Sequence, residues 1–154
     1  MAVASASAKL SANLKVTAYD FDPDESAATD IGFVDMTNYE TFMAIFVRSV
    51  GTGALDTFNI IANYVTDTGT DVTVKTHALG SAPDAQADMV FLECTAAEIA
   101  SAVNAGITSA ANKQAAKYVS AECEFATSTD EGVVIYIQGN PRFPASGLTA
   151  DVVA

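Results

Sequence analysis

Residues 133–138, VVIYIQ, constrain this chain more than any other stretch. The run is apolar at nearly every position and β-branched at four. A strand without a polar side needs cover on both faces, so it belongs at a sheet centre or a subunit contact. Just upstream, Val119, Ala121, Cys123 and Phe125 alternate with Tyr118, Ser120, Glu122 and Glu124. That period of two puts an apolar row on one face and a polar row on the other. Residues 127–132 between them are polar, acidic and end in Gly132. This is hairpin-turn chemistry, and it predicts that the two strands pair as a hairpin. Pro141 and Pro144 then stop the sheet, since proline donates no ladder hydrogen bond.

The upstream chain supplies more strands. Residues 14–21 alternate, with Leu14, Val16 and Ala18 opposite Lys15, Thr17 and Tyr19. Residues 31–36 predict a short second strand. Residues 41–50 predict a very apolar, central third, with Arg48 marking its exit to solvent. Residues 55–65 carry a possible helical stripe at Leu55, Phe58, Ile61 and Val65. Their Thr, Phe, Ile and Tyr content favours a strand instead, with Phe58, Ile60 and Ala62 on one face. Residues 72–79 and 89–94 predict two more strands. The period then changes. Thr95-Ala96-Ala97-Glu98 is a capping box, Ile99, Ala102 and Val103 follow at helical spacing, and Gly106 ends the run. One helix is expected over residues 96–105, with residues 107–114 returning to the strands.

About eight strands and one short helix predict a mainly β fold: a two-sheet antiparallel β-sandwich or jelly roll, with an up-and-down barrel as the alternative. The expected organisation is an N-terminal arm over 1–13, the sandwich over 14–139 and a tail over 140–154. The arm is small and polar, without the basic and apolar regions of a signal peptide. It reads as a frayed end, or as an arm ordered against a neighbouring subunit.

With 154 residues, one core is expected. Nineteen acidic against seven basic side chains give a net charge of -12. Such a surface repels phosphate backbones and anionic membranes, which argues against nucleic acid or a membrane as partner. Only 17% of residues are charged, while Ala, Ser and Thr abound, which suits a protein held in an assembly. Cys94 and Cys123 lie in apolar strand patterns without zinc spacing. They read as unpaired core thiols in a reducing compartment.

No candidate for chemistry stands out. Asp20, Asp22 and Asp24 form D-x-D-x-D, but an EF-hand needs Gly and Glu where Glu25 and Ile31 stand. These three aspartates are weak candidates for a looser calcium site. A solvated loop bent at Pro23 is the expected reading. Gly51-Thr52-Gly53 lacks the third glycine of a dinucleotide cradle. His77, the only histidine, reads as an ordinary strand residue. No cofactor is expected.

Three features carry a family likeness. Tyr19 and Asp20 form an acidic turn at the end of the first strand. Val34, Asp35, Met36, Tyr39, Glu40 and Phe42 make V-D-M-x-x-Y-E-x-F, leading into an apolar strand. The N-P-R-F-P of residues 140–144 follows the last strand pair. The layout resembles the jelly-roll decoration, or cement, proteins of tailed bacteriophage capsids. The resemblance implies a non-enzymatic protein on the outside of the shell, made in the host cytoplasm. It would bind the major capsid protein at subunit junctions, as a dimer or trimer.

The resemblance does not name contact residues. On residue chemistry the candidates lie in the arm and tail: Leu10, Arg142, Phe143, Pro144 and Leu148. Arg142 and Phe143 pair the side-chain types enriched at interface anchors. Closure of the core by Phe143 is the alternative. A carbohydrate- or receptor-binding sandwich of a fibre or spike is a second functional reading. A main coat subunit is a third.

Overall fold

The computed structural model describes residues 14–21, 29–51, 55–66, 70–77, 89–125 and 131–141. Within them lie nine strands and two helices. The strands are β1 (Leu14–Phe21), β2 (Thr29–Asp30), β3 (Val34–Asp35), β4 (Tyr39–Val50), β5 (Leu55–Asn63), β6 (Val72–Thr76), β7 (Met89–Thr95), β8 (Tyr118–Phe125) and β9 (Glu131–Pro141). The helices, α1 (Ala96–Gly106) and α2 (Ala110–Ala115), lie between β7 and β8.

The strands form two open sheets, not a closed barrel. The first has the order β1-β9-β4-β7. The second has β2-β8-β5-β6, with β3 beside β2 on β8. All pairings are antiparallel and nested: β1 with β9, β2 and β3 with β8, β4 with β7, β5 with β6. A long two-stranded strip rolled around a core gives this order, which is the jelly roll.

Each strand's alternation decides what it buries. In β4, Phe42, Ala44 and Phe46 turn inward while Met43, Ile45 and Val47 turn out. In β5, Phe58, Ile60 and Ala62 are fully buried, so the strand reading of this segment holds over the helical stripe. Aromatic rings bridge the layers. Phe46 of the first sheet meets Phe125 of the second edge-on, centroids 5.5 Å apart, and Phe58 at 6.3 Å. Helix α1 closes one end of the sandwich with Ile99 and Val103. Its capping box is formed as the T-x-x-E spacing predicts, and Lys75 of β6 reaches Glu98 at 2.6 Å.

Four expectations are corrected. β8 and β9 do not form a hairpin: β8 pairs with β5, β2 and β3, and β9 with β1 and β4, in the other sheet. Both are central strands, each flanked on two sides within its own sheet, so neither is free to pair with the other. Gly132 is not a turn glycine but lies within β9, opposite Arg48 and Phe21. A Cβ there would overlap the Phe46 ring. Arg48 does not exit to solvent: the inward parity of β4 buries it, its guanidinium 5.2 Å above the Phe125 ring. Residues 107–114 are not a plain return, because α2 occupies part of them, with Ser109 as its N-cap.

Candidate functional site

The two outer faces of the sandwich differ in chemistry. On the second sheet the outward residues are polar and hydrogen-bonded across strands. Thr57 Oγ1 donates to Glu124 at 3.1 Å, and Asn59 Nδ2 to Glu122 at 2.6 Å. This is how an antiparallel sheet meets water on one side.

The first sheet does the reverse. Register places Val16, Ile137, Met43 and Glu93 in one row across it. The next outward row is Ala18, Ile135, Ile45 and Phe91. After it come Val133, Val47 and Met89, ending at the β1 position of Asp20. The central strands half-bury their outward side chains by crowding alone. The edge strands cannot: Val16 is 61%, Phe91 56% and Met89 64% exposed. Three of the most exposed large hydrophobics therefore share one face. Contiguous apolar surface of this kind marks interaction sites. At one end the face dips into a hollow of about 380 Å³ lined by Leu14, Thr41, Met43, Glu93 and Ile137 over Gly139.

The polar face carries a second cluster. Asp30 of β2, Glu122 of β8 and Asp71, just before β6, bring carboxylate oxygens within 4.8 Å of one another. Asp30 and Glu122 are register partners. Asn63 shapes the segment that bears Asp71, accepting from the backbone N–H of Tyr64 at 2.7 Å and from Thr70 Oγ1 at 3.0 Å. Burial, with Asp71 and Glu122 adding repulsion, pushes the Asp30 carboxyl up to about 6. Such an oxygen set suits a hard cation such as Ca²⁺. Without one, Asp30 takes up a proton as the pH falls through about 6.

The acids singled out from sequence are not this set. Asp20 lies in β1, paired with Val133 in the other sheet, and Asp22 and Asp24 fall outside the described residues. Asp30, Asp71 and Glu122 come from three separate elements, and no local motif announces them. The interface candidates Leu10, Arg142, Phe143, Pro144 and Leu148 also lie outside the described residues. The strands that flank them are neighbours: β1 starts and β9 ends at the same end of the first sheet, with Leu14 opposite Gly139. The apolar outer face did have a sequence signal. The two-sided apolar character of residues 133–138 is that signal, since it leaves Val133, Ile135 and Ile137 on the outward side of β9.

Other reactive side chains are set in structure. Cys94 and Cys123 are free and buried. Burial pushes the Cys94 thiol up to about 12 and that of Cys123 higher still, so neither supplies a thiolate at neutral pH. The His77 backbone N–H donates to the Phe58 carbonyl at 2.9 Å, extending the sheet edge. Among the described residues no helix is long and apolar enough to cross a membrane.

No protein-family model, characterised protein or solved structure matches this chain.

Proposed function

We propose that the protein is a non-enzymatic structural component of a virus particle, binding the outside of the capsid and bridging its subunits. The observation that supports this is the apolar outer face of the first sheet. A jelly roll with one wetted face and one greasy face is built to be covered, and it acts by adhesion. The fold alone does not choose, because jelly rolls also serve as lectins and cupins. A sugar site would join aromatic and polar groups, whereas this face is aliphatic with a single aromatic, Phe91, at its edge. The net charge of -12 suits an outer location, away from packaged nucleic acid. The partner under this reading is the major capsid protein.

Electron microscopy of shells assembled with and without the protein tests the reading. Density is expected on the outer surface at subunit junctions, with shells that withstand more heat. Bare shells at saturating protein would refute it. Closed shells formed by this chain alone would make it a main coat subunit instead.

A further inference from the structure

The first sheet's outer face says what kind of partner it takes. We infer that it docks on the same face of a second copy, the two sheets stacking about a two-fold axis parallel to the strands. This rests on the adhesive reading above and narrows it: the apolar face holds two copies together, the pair rather than the bare face meets the shell, and the dimer itself requires no shell.

Side-chain size across the face is graded. Its β1 edge is small, with Ala18 in the middle row, while its β7 edge is large, with Phe91 in that same row. A two-fold axis along the strands lays the β7 edge of one copy over the β1 edge of the other. Each Phe91 then drops over the partner's Ala18. Large against small is how facing layers interdigitate. An axis that stacked each edge on itself would oppose Phe91 to Phe91 and leave Ala18 over a void.

Net charge opposes self-association, since two chains of -12 repel each other, so the apolar contact has to outweigh that repulsion. The cluster of Asp30 and Glu122 lies on the second sheet, away from the stacked faces, and the outward rows of the first sheet meet acids at their edges, at Glu93 and at the Asp20 position. Under the proposed symmetry Glu93 lies over the Val16 row of the partner, at the rim, not against another Glu93.

Area sets the strength. Four strands at ~4.8 Å spacing and about six residues at ~3.3 Å rise give a footprint of roughly 19 by 20 Å. Two such faces give a flat footprint of ~760 Å², which corrugation brings close to the lower limit for a specific interface. An interface of that size belongs with the weak, transient ones, so the dimer is expected at high micromolar concentration and should come apart on dilution.

Cross-linking tests the geometry. Across stacked sheets ~10 Å apart, positions 18 and 91 face each other, too far for a direct disulfide but within reach of a short bismaleimide, whereas within one copy they lie three strand spacings apart, ~14 Å. The full chain carrying Ala18→Cys and Phe91→Cys together should be joined by such a bismaleimide into a covalent dimer, while either substitution alone should give little. The native cysteines do not interfere, since both are buried. A double variant that stays monomeric, or single variants that cross-link as well as the double, would overturn the arrangement.

Sedimentation gives a second readout. The native chain should run as a dimer at high micromolar concentration. Phe91→Lys, at an exposed edge position, should weaken association at least ten-fold with an unchanged circular dichroism spectrum. A native chain that is monomeric throughout, or a Phe91→Lys chain that dimerises as before, would overturn the proposal. The covalent dimer also separates the two readings. If it forms but fails to decorate shells, the dimer stands and the shell role falls. If the native chain is monomeric in sedimentation yet decorates them fully, the dimer falls and the shell role stands.

Discussion

At the scale of single residues, the polar groups in this sandwich each have a traceable physical cost or use. Tyr136 stands on the inner face of β9, and its hydroxyl crosses the core to β8. There it accepts from the Ala121 N–H at 2.6 Å and lies 3.2 Å from Ser120 Oγ. This contact fills the break between β2 and β3, and Gly32 N–H donates to the same serine at 3.1 Å. Tyr136→Phe leaves a buried N–H without its acceptor. Chemical denaturation should show a loss of ~1–3 kcal/mol with an unchanged spectrum. Asp30 gives a pH signature. Its carboxyl is raised in the folded state to about 6, against an ordinary value of 3.8. Between these values the folded chain holds more protons than the unfolded one. Stability therefore falls as pH rises through that window and stays lower above it. The shift would be worth ~3 kcal/mol in a sealed site. For a group this open to solvent, screening reduces it to ~1 kcal/mol. Asp30→Asn should raise the denaturation midpoint at pH 7 to 8 and leave it unchanged near pH 4.

At the scale of elements, Gly132 and the capping box make opposite points. Gly132 sits inside β9 because the Phe46 ring fills the space where a Cβ would go. Gly132→Ala should cost ~1–3 kcal/mol through overpacking, read as a lower thermal midpoint. A neutral result would mean that the Phe46 ring can swing aside to admit a methyl group. Thr95 was legible from sequence, and Thr95→Ala should cost ~1 kcal/mol by the same measurement. The strands were legible for a similar reason: alternation in 14–21, 41–50 and 118–125 records which side meets the core. Pairing was not. The acidic, glycine-ended stretch before β9 is equally good chemistry for a hairpin and for a corner between layers, and only the competition for neighbours decides. Nor was Arg48, whose charge suggests solvent while its parity in β4 points it at Phe125. The acidic trio was hidden because its members lie far apart in sequence and meet only through the register of β2 on β8 and the segment before β6.

At the scale of the whole molecule, the nested pairing explains why one sheet face is left over. Rolling the strip buries one face of each sheet, and α1 plugs an end. The second sheet's outer face meets water with hydrogen-bonded side chains. The first sheet's outer face is apolar along its register rows. The two-sided apolar run in β9 supplies both the core and the middle of that outer face. Methionine oxidation measures this most directly, because Met89 is 64% exposed on that face and Met36 is 5% exposed inside the sandwich. Under limiting peroxide, at a concentration where the native chain is assembled, mass spectrometry should find Met89 as protected as Met36. In Phe91→Lys it should become readily oxidised. Met89 in the assembled native chain reacting as fast as free methionine would mean that the face stays open to water, and the adhesive account would fail.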